Sequence, residues 1–298
     1  MSTVMKNTET LQVARSPVYS PVKEFWYNWK KQKVAFAAGI FVLFLILIAC
    51  IGPLLAPYDP LTPDYNNTLS PPSMEHWAGT DEYGRDIFSR LIYGTRLSLS
   101  VSFTAVLTGA VFGTLLGLVS GYFGGALDRF IMRICDVMFS FPDLILALAI
   151  VAILGPGLTN VVIAIAIFSI PTFARLIRGE TLEVKESVFV EAARSMGAKK
   201  RRIILKHIFP ETMSSLIVFF TMRMGTAILA AASLSFLGLA SSPETPDWGG
   251  MLTLGRDYLG TASHVVIMPG IAIFVTVLAF NLVGDGLRDV LDPKTKNK

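Results

Sequence analysis

Long uncharged stretches alternate with shorter polar ones along this chain. Val34 to Ala56 carries no charged side chain, and neither does Leu97 to Leu127, which is long enough for one span plus a loop. A third apolar segment runs from Ile131 to Leu154 and ends at the breakers Gly155, Pro156 and Gly157. A fourth covers Val161 to Ile177, a fifth Met213 to about Leu237, and a sixth about Val265 to Gly284. A helix needs about 20 apolar residues to cross the hydrocarbon core. The pattern therefore predicts an all-α membrane protein with six transmembrane helices. No stretch alternates with period 2 over about ten residues, the signature of a membrane β-barrel strand. Pro142 and Pro171 fall inside the third and fourth spans and predict kinks, because proline removes a helix hydrogen bond.

The cations between the spans set the orientation. Lys30, Lys31 and Lys33 precede the first span and place the N-terminus in the cytoplasm. Six crossings return the C-terminus there, beside Arg288, Lys294, Lys296 and Lys298. Arg129 and Arg133 lie between spans two and three, and nine Lys or Arg lie from Arg175 to Lys206. Arg85, Arg90, Arg96 and Arg256 stay outside, the first three near a span entrance and sharing their loop with Asp81, Glu82 and Asp86. The division expected is a cytoplasmic tail 1–33, a first helix 34–56, an extracytoplasmic segment 57–96, a five-helix core 97–287 and a cytoplasmic tail 288–298. The first span reads as a retained anchor, since the polar region before it exceeds the short n-region of a signal peptide. Trp26, Tyr27 and Trp29, in EFWYNWKKQK, suit a membrane interface.

Composition agrees. The chain is 52% hydrophobic and 16% charged, against about 25% charged in soluble domains, and its mean hydropathy is +0.56. The net charge of +4 sits beside the spans, which points to the lipid bilayer and away from nucleic acid. Cys50 and Cys135 form no CxxC or Cys/His cluster and read as small buried hydrophobes; His76, His207 and His264 lie in separate segments, so no metal site is expected.

One polar island interrupts the apolar pattern between spans four and five. Gly179 to Ser195 reads as a helix, Gly197 as its stop, Lys199 to His207 as a second short helix, and Pro210 as punctuation before span five. Lys199, Lys200, Arg201 and Arg202 open that second helix against its dipole. Anionic lipid phosphate or an acidic partner surface would each favour them. Ala192 and Ala193 leave room for another surface to approach the backbone.

Glu191-Ala192-Ala193, then Gly197, then His207-Ile208-Phe209-Pro210 at the matching spacing, resembles the EAA loop of permease subunits of binding-protein-dependent ABC importers. Phe209 departs from the usual Leu of that motif. GTDEYGRDIFSRLIYGTRLSLSV (79–101), SLSFLGL (233–239), PETPDWGGML (243–252) and AFNLVGDGLRDVLDPK (279–294) resemble the dipeptide/oligopeptide/nickel branch, most of all the second permease of dipeptide or glutathione importers.

The resemblance implies a type I ABC importer permease-like bundle, N-in/C-in, in a bacterial or archaeal cytoplasmic membrane. It implies a coupling loop over 178–211 carried by Glu191, Ala192, Ala193, Arg194, Gly197 and Pro210. It implies as partners a homologous second permease subunit, two ATPase subunits and an extracytoplasmic solute-binding protein. No cofactor is expected on this chain: it has no G-x-x-x-x-G-K-[ST] and no Gly-Lys pair, so ATP and Mg belong to the ATPase subunits. The expected role is a transport subunit for short peptides, not an enzyme. A nickel or metal-chelate permease of the same branch and an ion-driven secondary transporter are the alternatives.

Charges within spans are costly and need a reason. Counting at about 1.5 Å per residue puts Arg223 and Asp143 near mid-depth. They are expected to face the bundle interior and either to pair or to line the translocation path, with Arg223 available to a peptide carboxylate. Asp136 and Arg133, near the inner end of span three, suit snorkelling or local pairing. The outer segments 58–96 and 238–263, the latter with a short helix after Asp247, lie where a binding protein would dock or where a lid would cover the bundle.

Overall fold

A computed structural model describes residues 21–240 and 245–291. The first twenty residues, Pro243 and Glu244, and the terminal Lys294, Lys296 and Lys298 lie outside it. Helices α1 (Pro21–Lys31), α2 (Lys33–Leu55), α3 (Ile87–Phe123), α4 (Gly125–Phe139), α5 (Asp143–Leu154), α6 (Leu158–Lys185), α7 (Val188–Ser195), α8 (Lys200–Ile203), α9 (Phe209–Phe236), α10 (Trp248–Gly255) and α11 (His264–Leu291) account for most of the described chain. Five helical runs are long and apolar enough to cross a membrane: α2, α3, α6, the continuous run from α8 through α9, and α11. The sixth crossing expected between Ile131 and Leu154 is not one rod: α4 and α5 meet at 92°. Pro142 sits at the break with ψ 136°. It supplies no donor, and its ring disfavours helix at Phe141. Pro171, by contrast, is buried inside an uninterrupted α6.

Helix limits exceed the apolar runs at several ends. α3 starts at Ile87 and not at 97, capped by Asp86, which accepts from the Ser89 amide and hydroxyl at 2.7 Å each. α11 continues to Leu291, so the boundary expected at 288 falls within a helix. Apolar runs mark the part of a helix in hydrocarbon, whereas hydrogen bonding continues through the headgroups.

The centre of the bundle is the packing of α3 on α6. Gly109, Gly113, Gly117 and Gly121 repeat every four residues and share one face of α3. A Cβ at Gly113 would lie 2.6 Å from the Ile170 carbonyl oxygen, and one at Gly117 would lie 2.7 Å from that of Ala174. The two backbones touch, as small-xxx-small seams allow in membranes. Phe173, Ile177, Ala105 and Val106 are buried beside them.

Outside the membrane, residues 58–86 fold into an irregular cap. Asp81 holds the Arg85 guanidinium at 2.7 Å and lies 3.5 Å from Arg90, which donates to the Pro60 carbonyl at 2.8 Å. His76 and Asp86 pair at 3.0 Å. The two cap-side arginines Arg85 and Arg90 are thus buried partners of the acids that share their loop. The short helix expected after Asp247 is α10, with Asp247 accepting from the Gly250 amide at 2.9 Å. Trp248 of α10 donates to the Leu91 carbonyl at 3.2 Å. At the other end, Trp29 is packed against its own chain. It is 8% exposed, stacks on Phe25 at 5.9 Å and lies within 3.2 Å of where a Cβ would stand at Gly39 or Gly286. Trp26 and Tyr27 remain exposed. Cys135 is buried as expected, but Cys50 is exposed.

Candidate functional site

The polar island folds differently in detail from the sequence expectation. The helix expected from Gly179 to Ser195 is two helices: α6 runs on to Lys185, the chain turns at Glu186 and Ser187, and α7 follows. Gly197 ends α7 with φ +79°. The Ala198 amide reaches back to the Ala193 carbonyl at 3.0 Å, the closing bond of a glycine-terminated helix. Open space surrounds Gly197, so its requirement is the left-handed backbone.

Glu191, Ala192 and Arg194 are exposed, whereas Ala193 is buried with Val190. Only Ala192 therefore offers the close approach expected of both alanines. Val190 belongs to a cluster with Leu118, Tyr122, Ile177, Ile203 and Ile208, which fixes α7 against the inner ends of α3, α6 and the α8–α9 run. Leu182, Phe189, Ala193 and Met196 share no buried face: Ala193 is buried and the other three are exposed. Val188 and Met196 are each 82% exposed, leaving an apolar tip on a charged loop.

Pro210 does not punctuate. A π-helical turn, Ile204–Ile208, joins α8 to α9 without interruption, and the Phe209 amide bonds to the Ile204 carbonyl five residues back. The proline ring would clash with the carbonyl four residues before it. The wider turn relieves that clash, so α8 and α9 continue as one rod.

Two ion pairs fasten α4 to α6 close above the loop. Arg178 binds Asp128 through two nitrogens, at 2.6 and 2.7 Å, and Ser120 donates to the same carboxylate. Arg175 meets Asp136 at 2.7 Å and lies 4.1 Å over the Phe139 ring. The partner of Asp136 is thus Arg175 of α6 and not its neighbour Arg133. Glu180 accepts from Ser215 at 2.8 Å, tying α6 to α9.

Asp143 and Arg223 come together. Arg223 Nη2 is 3.0 Å from Asp143 Oδ2 and 3.4 Å from Thr172 Oγ1. Its guanidinium stands 5.4 Å from the Phe168 ring centre. Among the described residues its Nε is buried without a partner. The glycine seam and the α4–α6 clamps went unread in the sequence. The four-residue glycine spacing was the available signal for the first; the second joins residues about 40–50 positions apart and left none. Among the described residues no group of three His, Cys, Asp or Glu is placed to hold a metal.

The family described as binding-protein-dependent transport system inner membrane component matches residues 113–297. The N-terminal TM domain of oligopeptide transport permease C matches residues 20–72. The chain is 54% identical over 290 residues to a glutathione transport system permease protein, GsiD, of Pectobacterium atrosepticum, covering 97% of this chain and 96% of that protein. It is 55% identical over 280 residues to GsiD of Escherichia coli, covering 94% and 92%. Among solved structures, an inward-facing MetNI methionine ABC transporter aligns with TM-score 0.56 at 22% identity, over 67% of this chain and 96% of that chain. An amino acid ABC transporter crystallised with histidines aligns with TM-score 0.52 at 19% identity, over 71% and 95%.

Proposed function

The chain belongs to the binding-protein-dependent transport system inner membrane component family, and from that premise we propose that it forms half of the translocation pathway of an ATP-driven importer of glutathione or closely related short peptides. It is a multi-pass inner-membrane transport subunit of an ABC importer, not an enzyme, and its class works with a partner permease, an ATPase and a binding protein. The observation that carries the substrate is the likeness, over nearly the whole chain, to the two GsiD permeases. A homologous permease and not a second copy completes the pathway, and two ATPase subunits bind and hydrolyse ATP with Mg.

The coupling element is the loop around α7. Glu191, Ala192, Arg194 and Gly197 present an exposed, small-centred, charged surface with Val188 and Met196 at its tip, a shape suited to a groove on the ATPase. Pro210 keeps the π turn in register, so that a push on the loop travels along one rod. α6 carries the same push to α4 through Arg178 and Arg175, and α4 delivers it to the break at Pro142. The test is reconstitution of the chain with its genomically neighbouring permease, ATPase and binding-protein partners in proteoliposomes. ATP-dependent accumulation of glutathione that requires the binding protein is expected. Glu191→Arg should detach the ATPase and abolish accumulation; ATPase retention with undiminished uptake would refute the coupling role.

A further inference from the structure

Arg223 lies ten residues into the apolar run that begins at Met213, about 15 Å at about 1.5 Å per residue, and Thr172 of α6 is at the same level, 3.4 Å from it. Both lie within the apolar stretches of their spans. Asp143 reaches the same level at the inner end of α5. The backbone before it, Ser140 to Pro142, is non-helical and exposed. Irregular backbone at this depth does not face lipid; it lines water or lies in protein. The side of the bundle on which Asp143 stands is therefore turned to water or to a partner subunit, and away from lipid.

The two halves of the pair are held unequally. The Asp143 side chain is 50% exposed and that of Arg223 13%. A single guanidinium nitrogen, Nη2, contacts a single carboxylate oxygen. Arg223 thus keeps a buried Nε–H without an acceptor. Arg178, by contrast, engages both oxygens of Asp128. A guanidinium takes a carboxylate best through two parallel N–H bonds, and Asp143 leaves that capacity half used. Asp143 also has an alternative. It occupies the first turn of α5, where the helix dipole favours a negative charge, and half of its side chain is free of contact within the chain. It can leave Arg223 without stranding a bare charge.

We propose that Arg223 is the mid-membrane binding residue for a carboxylate of the transported peptide, and that Asp143 is its resident counter-ion, displaced when substrate arrives and restored when substrate leaves. The proposal rests on the peptide-import reading above. Anion replaces anion, so the buried guanidinium is never left uncompensated, and the exchange keeps the site weak enough to release its cargo. Thr172 holds the guanidinium in place during the exchange, and the Phe168 ring covers its face.

The experiment uses the complete importer in proteoliposomes, with uptake of glutathione and of trialanine measured in parallel against ATP hydrolysis and subunit assembly. Wild type should take up at least one of the two; if it takes up neither, the peptide reading falls, and the proposal with it. Arg223→Gln should slow uptake at least tenfold. Asp143→Asn removes the competitor and should lower the apparent KM several-fold with a smaller loss of maximal rate. The exchanged pair, Asp143→Arg with Arg223→Asp, keeps the ion pair and should assemble, yet should stay at least tenfold slow because the cation now sits on α5. Uptake by the exchanged pair at the wild-type rate would mean a structural salt bridge and overturn the proposal, as would undiminished uptake by Arg223→Gln.

Discussion

The α3–α6 seam and the α5–α9 junction lie a few residues apart on α6, yet they are built on opposite principles. In the seam, backbone meets backbone across Gly113 and Gly117, with no side chain between to change rotamer. In the junction, a single-point ion pair links a half-exposed carboxylate to an arginine with an idle donor. The first arrangement has one low-energy geometry; the second has several. A transporter needs both, a frame that does not yield and a contact that does. α6 belongs to each, presenting Phe173 and Ala174 to the seam and Thr172 to the junction.

The sharpest way to break this contrast is to spoil the seam. Gly113→Leu places a branched side chain where even a Cβ would stand 2.5 Å from that of Phe173. Overpacking of this kind costs about 3 kcal/mol. Most of the folded, monodisperse permease should disappear from fluorescence-detected size exclusion. A normal yield would mean that the seam tolerates separation and is not the frame.

Asp128→Ala comes next. It leaves Arg178 facing a part-buried gap at the α4–α6 clamp, and loss of a hydrogen bond to a charged group costs about 2 kcal/mol. The complex should assemble with a lower melting temperature and hydrolyse ATP with reduced uptake per ATP. Uptake fully coupled to hydrolysis would remove the clamp from the route between loop and break.

The rigid half extends outward into the cap, where Glu82 offers a finer test. Burial, the largest influence, pushes its carboxyl above the ordinary carboxylate value; the neighbouring Asp81 adds to this, while its own backbone hydrogen bond, Arg85 and Arg90 oppose it. The folded cap therefore binds a proton more readily than the unfolded chain does. Stability should fall as pH rises from the ordinary carboxylate value through the raised one, and recover on acidification. Glu82→Gln should flatten that slope in melting curves of the purified protein. An identical slope in both would show that Glu82 does not titrate there.

The smallest effect is expected at Asp136→Ala. Both members of that pair are more than half exposed, and such bridges are worth about 0.5 kcal/mol. A shift in melting temperature within error is expected, and a loss as large as that of Asp128→Ala would place the clamp's strength at the wrong pair.

Spans were legible because hydrocarbon imposes uncharged runs, and Gly197 because a left-handed residue is written as glycine. Arg223 and Asp143 were legible as costly charges whose depth follows from counting. Their joining depends on α6, which brings Thr172 to the same level and is distant in sequence from both. Pro142 announced a bend, but not one of 92°. Its size reflects where Arg175 and Arg178 hold α4, and nothing near Pro142 encodes that. Pro210 misled for a related reason. Proline reads as a stop, but a π turn before it lets the helix pass, and that adjustment depends on the packing of Ile203 and Ile208 against α3 and α6.

The central claim is that the seam stays fixed while the broken helix moves with nucleotide. Hydrogen–deuterium exchange on the intact importer, without nucleotide and trapped with ATP, tests it without mutation. Amides of residues 109–121 should stay equally protected in both states, and those of residues 138–146 should change. Altered protection across 109–121 with none at 138–146 would contradict the account.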